Sequence, residues 1–282
     1  MPPRTETLAA PLCDSPVGVF DSGVGGLTVL RALLAALPRE NFLYLGDTAR
    51  LPYGTKSPQT VARYSVRAAE ALVERGIKAL VVACNTASAG ALPALRERFR
   101  DLPVIGVIEP GAQAACESSS SGRIAVLATE GTVKGGAYLE AILAIRPDAH
   151  VTQVAAQIFV ALAEEGWSEG EAVDAVTRRY LAHLDARIDT VVLGCTHFPL
   201  LAGAIAKQVG PNRRVVDSAA SAARATAATL AARNLGRRTE GVADRPGEVR
   251  LLATDSPERF ARVGQRFLGA AIAERAVETI DL

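Results

Sequence analysis

The stretch that decides the fold is Leu80-Val-Val-Ala-Cys-Asn-Thr86, an apolar run that ends in a cysteine and two polar residues. Similar runs rich in Val, Ile and Leu, bounded by Gly, Pro, Asp or Asn, alternate along the chain with stretches of helical periodicity. This alternation is typical of βα units that build a parallel sheet buried on both faces. The sequence therefore predicts an α/β protein with mainly parallel sheets.

Eight of the ten predicted strands fall in two sets of four. The first set covers residues 17–20, 42–45, 79–83 and 104–108, and the second covers 123–128, 151–155, 190–193 and 214–216. Helices are predicted from Leu27 to Leu37 and over 61–75, where Gly76 supplies a stop, and Pro110 begins another that leads to a polar turn over 116–122. The tail is predicted as a helix over 219–235, an exposed excursion over 236–247, a strand over 248–254, a helix over 257–268 and a strand over 277–282.

The two sets repeat one pattern. VGVFDSG at 17–23 precedes LVVACNT at 80–86, and IAVLATEG at 124–131 precedes VVLGCTH at 191–197. Thr129 lies 108 positions after Asp21, and Cys195 lies 111 positions after Cys84. A repeat of this length indicates two pseudo-symmetric βα half-domains that face each other across a central cleft. We expect residues 13–109 plus 222–282 to form the first domain and 110–221 to form the second.

Composition excludes several classes of protein. The 282 residues are 49% hydrophobic and 22% charged, as in ordinary globular proteins. A net charge of +1 without a basic block argues against a nucleic-acid partner. No apolar run approaches the roughly 18 residues that a membrane span needs. The first 12 residues lack the apolar segment of a secretory signal, which predicts a cytoplasmic protein.

Two of the four cysteines, Cys84 and Cys195, follow predicted strands and precede polar residues. Parallel α/β sheets bind ligands at these strand ends, and a helix N-terminus there can lower the pKa of a thiol. A single cysteine after a strand is more often a buried core residue, but the paired placement favours a catalytic role. Cys13 and Cys116 lack this context. No cysteine or histidine has companions at the spacing of a metal site.

The loop Asp21-Ser-Gly-Val-Gly-Gly26 could bring backbone N–H groups close to an anion. Thr28 stands where the third glycine of a dinucleotide fingerprint belongs, and no Gly-Lys-Ser/Thr follows, so a nucleotide site is the weaker interpretation. Asp21 either partners an ammonium or a thiol, or caps the next helix. His197 lies two residues from Cys195 and either tunes that thiol, bonds a carboxylate or packs against Phe198.

Two thiols on opposite walls of a cleft would suit the inversion of a carbon that bears hydrogen, which needs a base on one face and an acid on the other. The same cleft could instead belong to a non-catalytic module that binds small anions. A racemase of another amino acid, such as aspartate, would use the same thiols in a different pocket.

Four segments carry a resemblance to a known family: 18–26 (GVFDSGVGG), 46–54 (GDTARLPYG), 83–86 (ACNT) and 194–199 (GCTHFP). By these motifs the chain resembles the cofactor-independent glutamate racemases of the aspartate/glutamate racemase superfamily. The resemblance implies interconversion of L- and D-glutamate, with Cys84 acting on D-glutamate, Cys195 on L-glutamate, and Asp21 and His197 assisting. It also implies substrate contacts at Asp21, Ser22, Tyr53, Gly54, Asn85, Thr86, Thr196 and His197.

The resemblance further implies that the enzyme needs no cofactor, supplies D-glutamate for peptidoglycan and commonly forms homodimers. A further acid of the family resembles Glu164, but Glu165 adjoins it and Ala161 stands where the family often has proline. The choice between the two glutamates therefore stays open at the level of sequence.

Overall fold

The computed structural model describes residues 13–237 and 245–282, and within them the chain folds into parallel sheets with interleaved helices. The strands are β1 (Val17–Asp21), β2 (Phe42–Gly46), β3 (Ala79–Val82), β4 (Val104–Gly106), β5 (Arg123–Ala128), β6 (His150–Ala155), β7 (Thr190–Gly194), β8 (Arg214–Asp217), β9 (Val249–Ala253) and β10 (Val277–Thr279). The helices are α1 (Leu27–Ala36), α2 (Pro58–Val73), α3 (Asn85–Arg98), α4 (Ile108–Ser118), α5 (Glu130–Gly135), α6 (Ala137–Ile145), α7 (Ile158–Glu165), α8 (Glu171–Leu181), α9 (Ala202–Val209), α10 (Ala219–Ala232) and α11 (Pro257–Leu268). Short 3-10 turns lie at Thr48–Arg50, Tyr53–Thr55, Phe198–Leu201 and Glu274–Ala276.

The strands form two sheets with matching topology. The first sheet has the order β10-β9-β2-β1-β3-β4, and the second has the order β6-β5-β7-β8. All neighbouring strands in both sheets are parallel. The order β2-β1-β3-β4 of the first sheet recurs as β6-β5-β7-β8 in the second. The predicted fold class, α/β with two related parallel halves, is confirmed.

The central strands of both sheets are buried on both faces, as is typical of parallel sheets, whereas the edge strands β6 and β8 of the second sheet are partly exposed. Along β1, Val17 and Val19 point into a core formed with α1, α10 and α11, whereas Phe20 points into a second core under α2 and α3. In the second sheet, Leu127 and Val126 of β5 face opposite cores in the same way. The near-continuous apolar runs of the sequence therefore reflect burial from two sides.

Several predicted boundaries are wrong by a few residues. β4 ends at Gly106, and α4 begins at Ile108, with Pro110 in its first turn, where a backbone N–H has no intrahelical partner to lose. The same helix continues to Ser118, so the polar turn is shorter than predicted. The last strand ends at Thr279. Of the predicted excursion over 236–247, residues 238–244 lie outside the described part of the chain.

α2 is framed by two local signals. The Ser57 side chain accepts a hydrogen bond from the Thr60 N–H and caps the helix, and Pro58 occupies its first position. Gly76 follows its end with a φ of +76°, a left-handed conformation that favours glycine. The helix therefore begins three residues before the predicted start at residue 61, because Ser57 satisfies an otherwise unpaired N–H.

The C-terminal elements return to the first sheet. β9 pairs with β2 and β10 with β9, while Ala222, Ala223 and Leu230 of α10 lie in the core around α1. We propose that residues 13–109 plus 222–282 form one domain and 110–221 the other. The membership of the two sheets supports this division.

A buried ion pair lies at the amino end of β3. Lys78 is fully buried, and its Nζ donates to Glu40 Oε2 and to the Cys13 carbonyl. Glu40 Oε1 accepts from the Arg237 N–H. Removing one partner of such a pair leaves an uncompensated charge in the interior.

We expect Lys78→Met to lower the free energy of unfolding by about 3 kcal/mol, because Glu40 then loses its buried cation. Urea denaturation measures this loss. The double variant Lys78→Met/Glu40→Gln is the control, since it removes both charges and should recover most of the stability. Equal stability of the wild type and the single variant would contradict the prediction.

Candidate active site

Loops at the carboxyl ends of both sheets converge on one cavity of about 40 Å³. Cys84 follows β3 and Cys195 follows β7, the corresponding strands of the two sheets, and both thiols line this cavity. The predicted site residues that line it with them are Ser22, Tyr53, Gly54, Asn85, Thr86, Thr196 and His197. Asp21, the remaining predicted residue, is fully buried and is not on the cavity wall.

Cys84 stands at the N-terminus of α3. Its sulfur accepts a hydrogen bond from the Ala87 N–H at 3.4 Å and lies 3.5 Å from Ser22 Oγ. Burial, together with the negative charge of Asp21, raises the pKa of Cys84 to about 12. The expectation that the helix N-terminus lowers this pKa is not met, because burial of the sulfur outweighs the N–H dipoles. Cys84 is therefore a neutral thiol at pH 7.

Cys195 belongs to a chain of three polar groups. His197 Nδ1 lies 3.9 Å from the Cys195 sulfur, and His197 Nε2 lies 3.1 Å from Glu164 Oε1. Burial opposes a charge on the imidazole, but hydrogen bonds to Cys195 and Glu164 outweigh it and raise the pKa of His197 to about 10. An imidazolium therefore stands beside this sulfur at neutral pH.

The structure brings Glu164, and not Glu165, to the site. Glu164 lines the cavity and bonds His197, whereas Glu165 is exposed at the end of α7. Burial opposes ionisation of Glu164, but His197 and Arg259 more than compensate and hold its pKa below the usual value. The alternative left open by the sequence is thus decided by which side of α7 faces the cleft.

The glycine-rich loop brings the two halves into close contact. Asp21 Oδ2 accepts from the Gly23 N–H at 2.8 Å, and burial raises the pKa of this carboxyl group. A Cβ atom at Gly25 would lie 2.3 Å from Thr196 Oγ1 and 2.5 Å from His197 Nδ1. Gly26 is the N-cap residue of α1 and the helix has no side-chain cap, so Asp21 is not the cap of that helix. Any side chain at position 25 would therefore clash with Thr196 and His197 of the second half.

Three threonine hydroxyls meet across the cleft. Thr86 Oγ1 lies 2.9 Å from Thr129 Oγ1 and 3.2 Å from Thr132 Oγ1, and the latter two are 3.0 Å apart. Sequence reasoning did not select Thr129 or Thr132. A signal for Thr129 existed, because it occupies the position in the second repeat that Asp21 occupies in the first.

Other residues missed by the sequence hold or line the cavity. Asp47 is fully buried and accepts from the Tyr53 hydroxyl at 2.6 Å, and the Tyr138 hydroxyl donates to Asn85 Oδ1 at 2.8 Å. Gln157 lines the cavity, and its Oε1 is buried with no hydrogen-bond partner among the described residues. No sequence signal pointed to Gln157.

Within residues 13–237 and 245–282, no three His, Cys, Asp or Glu side chains are placed to hold a metal ion together. In the same part of the chain, no helix has the length and apolar character to cross a membrane.

We call each sheet with its packed helices a lobe. The two lobes repeat one strand order, and in each of them a cysteine that follows a central strand lines the same cavity, which defines an α/β enzyme with one thiol from each lobe. The chain belongs to the Asp/Glu/Hydantoin racemase family, whose model matches residues 17–226. It is 50% identical to a glutamate racemase of Geobacter metallireducens over 259 residues. This aligned region covers 92% of this chain and 94% of that relative.

Solved structures show the same similarity. The glutamate racemase of Thermus thermophilus in complex with β-chloro-D-alanine matches with a TM-score of 0.85 and 39% identity, over 96% of this chain and 98% of the other. The glutamate racemase of Francisella tularensis in complex with D-glutamate matches with a TM-score of 0.87 and 34% identity, over 95% and 98%.

Proposed function

We propose that this chain interconverts L- and D-glutamate without a cofactor, with Cys84 and Cys195 as the paired acid and base. The observation that carries this proposal is that the two thiols come from equivalent strand ends of opposite lobes and line one cavity. Inversion at Cα requires a base on one face of the carbon and an acid on the other. The similarity to glutamate racemases, one of them solved with D-glutamate, supports glutamate as the substrate.

The protonation states suggest how one direction proceeds. The Cys84 thiol holds a proton at neutral pH, and the His197 imidazolium lies with its Nδ1 3.9 Å from the Cys195 sulfur. A Cys195 thiolate takes the Cα proton of L-glutamate, and the electron pair stays on Cα. The Cys84 S–H then delivers its proton to the opposite face, which leaves a Cys84 thiolate and a Cys195 thiol. D-glutamate reacts by the reverse sequence from that state.

The other polar groups at the cavity, both predicted and newly found, are proposed to bind the substrate, with the exception of Asp21. The Thr86, Thr129 and Thr132 hydroxyls and the N–H groups that begin α3 suit a carboxylate. Asn85 Nδ2 is buried beside the cavity without a partner among the described residues, so it can donate to the same ligand. Ser22, Tyr53, Gly54, Thr196 and His197 are proposed as further contacts. Asp21 lies behind the cavity wall, which favours a thiol over the substrate amine as its partner.

Substrate entry requires the cleft to widen. A cavity of 40 Å³ holds about three water molecules, and a glutamate molecule is larger than three water molecules. We infer that the lining loops or the two lobes move apart to admit glutamate and close again around it. Closure would exclude water from the carbanion.

The proposed activity also implies a biological role. Production of D-glutamate for peptidoglycan in the bacterial cytoplasm is supported by the resemblance of this chain to the glutamate racemases. A homodimer remains a prediction.

The test is incorporation of solvent deuterium at Cα of L- and D-glutamate in D₂O without added cofactor, with aspartate in parallel. Mass spectrometry measures exchange, and circular dichroism of the amino acid measures inversion. We expect both with glutamate. Absence of glutamate exchange would overturn the proposal, and exchange of aspartate alone would assign a different substrate. Glutamate bound without exchange would favour the non-catalytic binding module.

A further inference from the structure

Helix α11 of the first lobe reaches the polar chain beside Cys195 in the second. Arg259 Nη2 donates to Glu164 Oε2 at 2.9 Å, and Arg266 Nη1 donates to the Glu164 carbonyl at 3.1 Å. The ring of Phe267 packs edge-on against the His197 imidazole, with centroids 5.1 Å apart. Three side chains of one helix therefore hold Glu164 and His197 from the opposite lobe.

The two oxygens of Glu164 have different partners. Oε1 bonds His197 Nε2 while Oε2 bonds Arg259, so the carboxylate cannot rotate without breaking one of the two contacts. The imidazole is fixed in turn, because its Nε2 is held by Glu164 and its Nδ1 lies near the Cys195 sulfur. The orientation of the Glu164 carboxylate therefore determines the orientation of the His197 imidazole, which lies beside the Cys195 thiol.

We propose that Arg259 is a positioning residue for proton transfer at Cys195, because it holds one oxygen of Glu164 so that the other stays bonded to His197. This inference rests on the proposed racemase function. Arg259 itself touches neither thiol and is half-exposed, so it acts through Glu164 alone. Its influence should be modest in size and confined to one of the two proton transfers.

The charged groups around this chain determine the effect of pH. His197 faces Cys195, Glu164 and the charge of Asp21, while Glu164 faces His197 and Arg259, with Arg266 on its carbonyl. Loss of the Arg259 cation raises the pKa of Glu164, so the acid limb of the kcat/KM profile moves to higher pH. Without Arg259, Glu164 is held less firmly and its hydrogen bond stabilises the His197 imidazolium less. The pKa of His197 therefore falls, and the alkaline limb of the kcat/KM profile moves to lower pH.

A direction-specific readout is needed because the two enantiomers of glutamate have equal free energies. Any variant must therefore lower kcat/KM equally in both directions. The primary isotope effect escapes this constraint, because Cα-deuterated L-glutamate gives its label to Cys195 and D-glutamate gives it to Cys84. Slower proton transfer at Cys195 enlarges the primary isotope effect on kcat/KM for labelled L-glutamate and diminishes the isotope effect for labelled D-glutamate.

The experiment compares the wild type with Arg259→Met, Arg259→Lys and the control Arg262→Met. Arg262 is exposed on the same helix and has no side-chain hydrogen bond or ion pair within the described residues. We expect Arg259→Met to lower kcat/KM about three- to fivefold, as for an ion pair with one exposed partner. Its pH profile of kcat/KM should become narrower. Its primary isotope effect should become larger with labelled L-glutamate and smaller with labelled D-glutamate. Arg259→Lys should restore the acid limb, and Arg262→Met should match the wild type.

Failure of this inference is distinguishable from failure of the proposed function. If the wild type does not exchange glutamate, the function is wrong. If the wild type racemises glutamate but Arg259→Met has the pH profile and isotope effects of Arg262→Met, the positioning role is overturned. Equal changes of the primary isotope effect for the two labelled enantiomers, or a larger isotope effect for labelled D-glutamate than for labelled L-glutamate, would also overturn it, because neither result isolates the proton transfer at Cys195.

Discussion

Replacing either cavity cysteine by serine, as Cys84→Ser or Cys195→Ser, is expected to lower kcat/KM for glutamate by about 10³-fold or more, because each loses an acid/base group. A serine hydroxyl is a far weaker acid than a thiol, so almost no alkoxide is present at neutral pH to take the Cα proton, and the neutral hydroxyl donates its own proton less readily. Both variants should fail in both directions, because one thiol takes the proton while the other gives one. Circular dichroism of the amino acid measures the rate.

The matched control is Cys116→Ser. Cys116 is partly exposed, its sulfur lies near the Ile142 carbonyl, and it is not among the residues that line the cavity. This variant should keep activity within about twofold of the wild type, as expected for a surface change away from the site. Urea unfolding of the two cavity variants should show that the fold is kept. A cavity variant with more than a tenth of wild-type activity would exclude the two-thiol mechanism.

Gly25→Ala is expected to lower kcat/KM by about 100-fold, a loss typical of catalytic groups displaced by about 1 Å. The added methyl group would lie 2.3 Å from Thr196 Oγ1 and 2.5 Å from His197 Nδ1, closer than non-bonded atoms can approach. Either the loop retreats or His197 leaves its position between Cys195 and Glu164. In both cases the lobes no longer fit together at the site.

Gly203→Ala serves as the comparison for this variant. Gly203 lies in α9, and a Cβ atom there has no heavy atom within 4 Å. It should keep full activity and gain slightly in stability, because alanine is the better helix former. The Gly25→Ala prediction also separates two interpretations of the glycine-rich loop. Unaltered activity would mean that the loop does not need to approach the second lobe closely.

The strands and their assignment to two repeats could be predicted from the sequence because burial on both faces leaves continuous apolar runs. Cys84 and Cys195 could be selected for the same reason, since each ends such a run. Boundaries were less accurate. The helix around Pro110 begins at Ile108, because capping and the first turn depend on a few local contacts that periodicity does not record.

The choice between Glu164 and Glu165 shows the limit of the sequence. Neighbouring residues on a helix point about 100° apart, so only the docking of α7 against the opposite lobe reveals which carboxylate meets His197. Thr132 and Gln157 were missed because polar residues near a loop carry no periodic signal. Arg259 is far along the chain, and nothing in its local sequence relates it to Glu164.

Local burial patterns and chain order suffice to predict the α/β class, the duplication and the two strand-end thiols. Three features need the folded structure: the protonation of Cys84, the contacts from Arg259 through Glu164 and His197 to Cys195, and the close approach that requires glycine at position 25. The protonation of Cys84 depends on how deeply its sulfur is buried and on nearby Asp21, whereas the other two features join groups from different halves. Their energies depend on distance and burial in three dimensions, which separation along the chain does not specify.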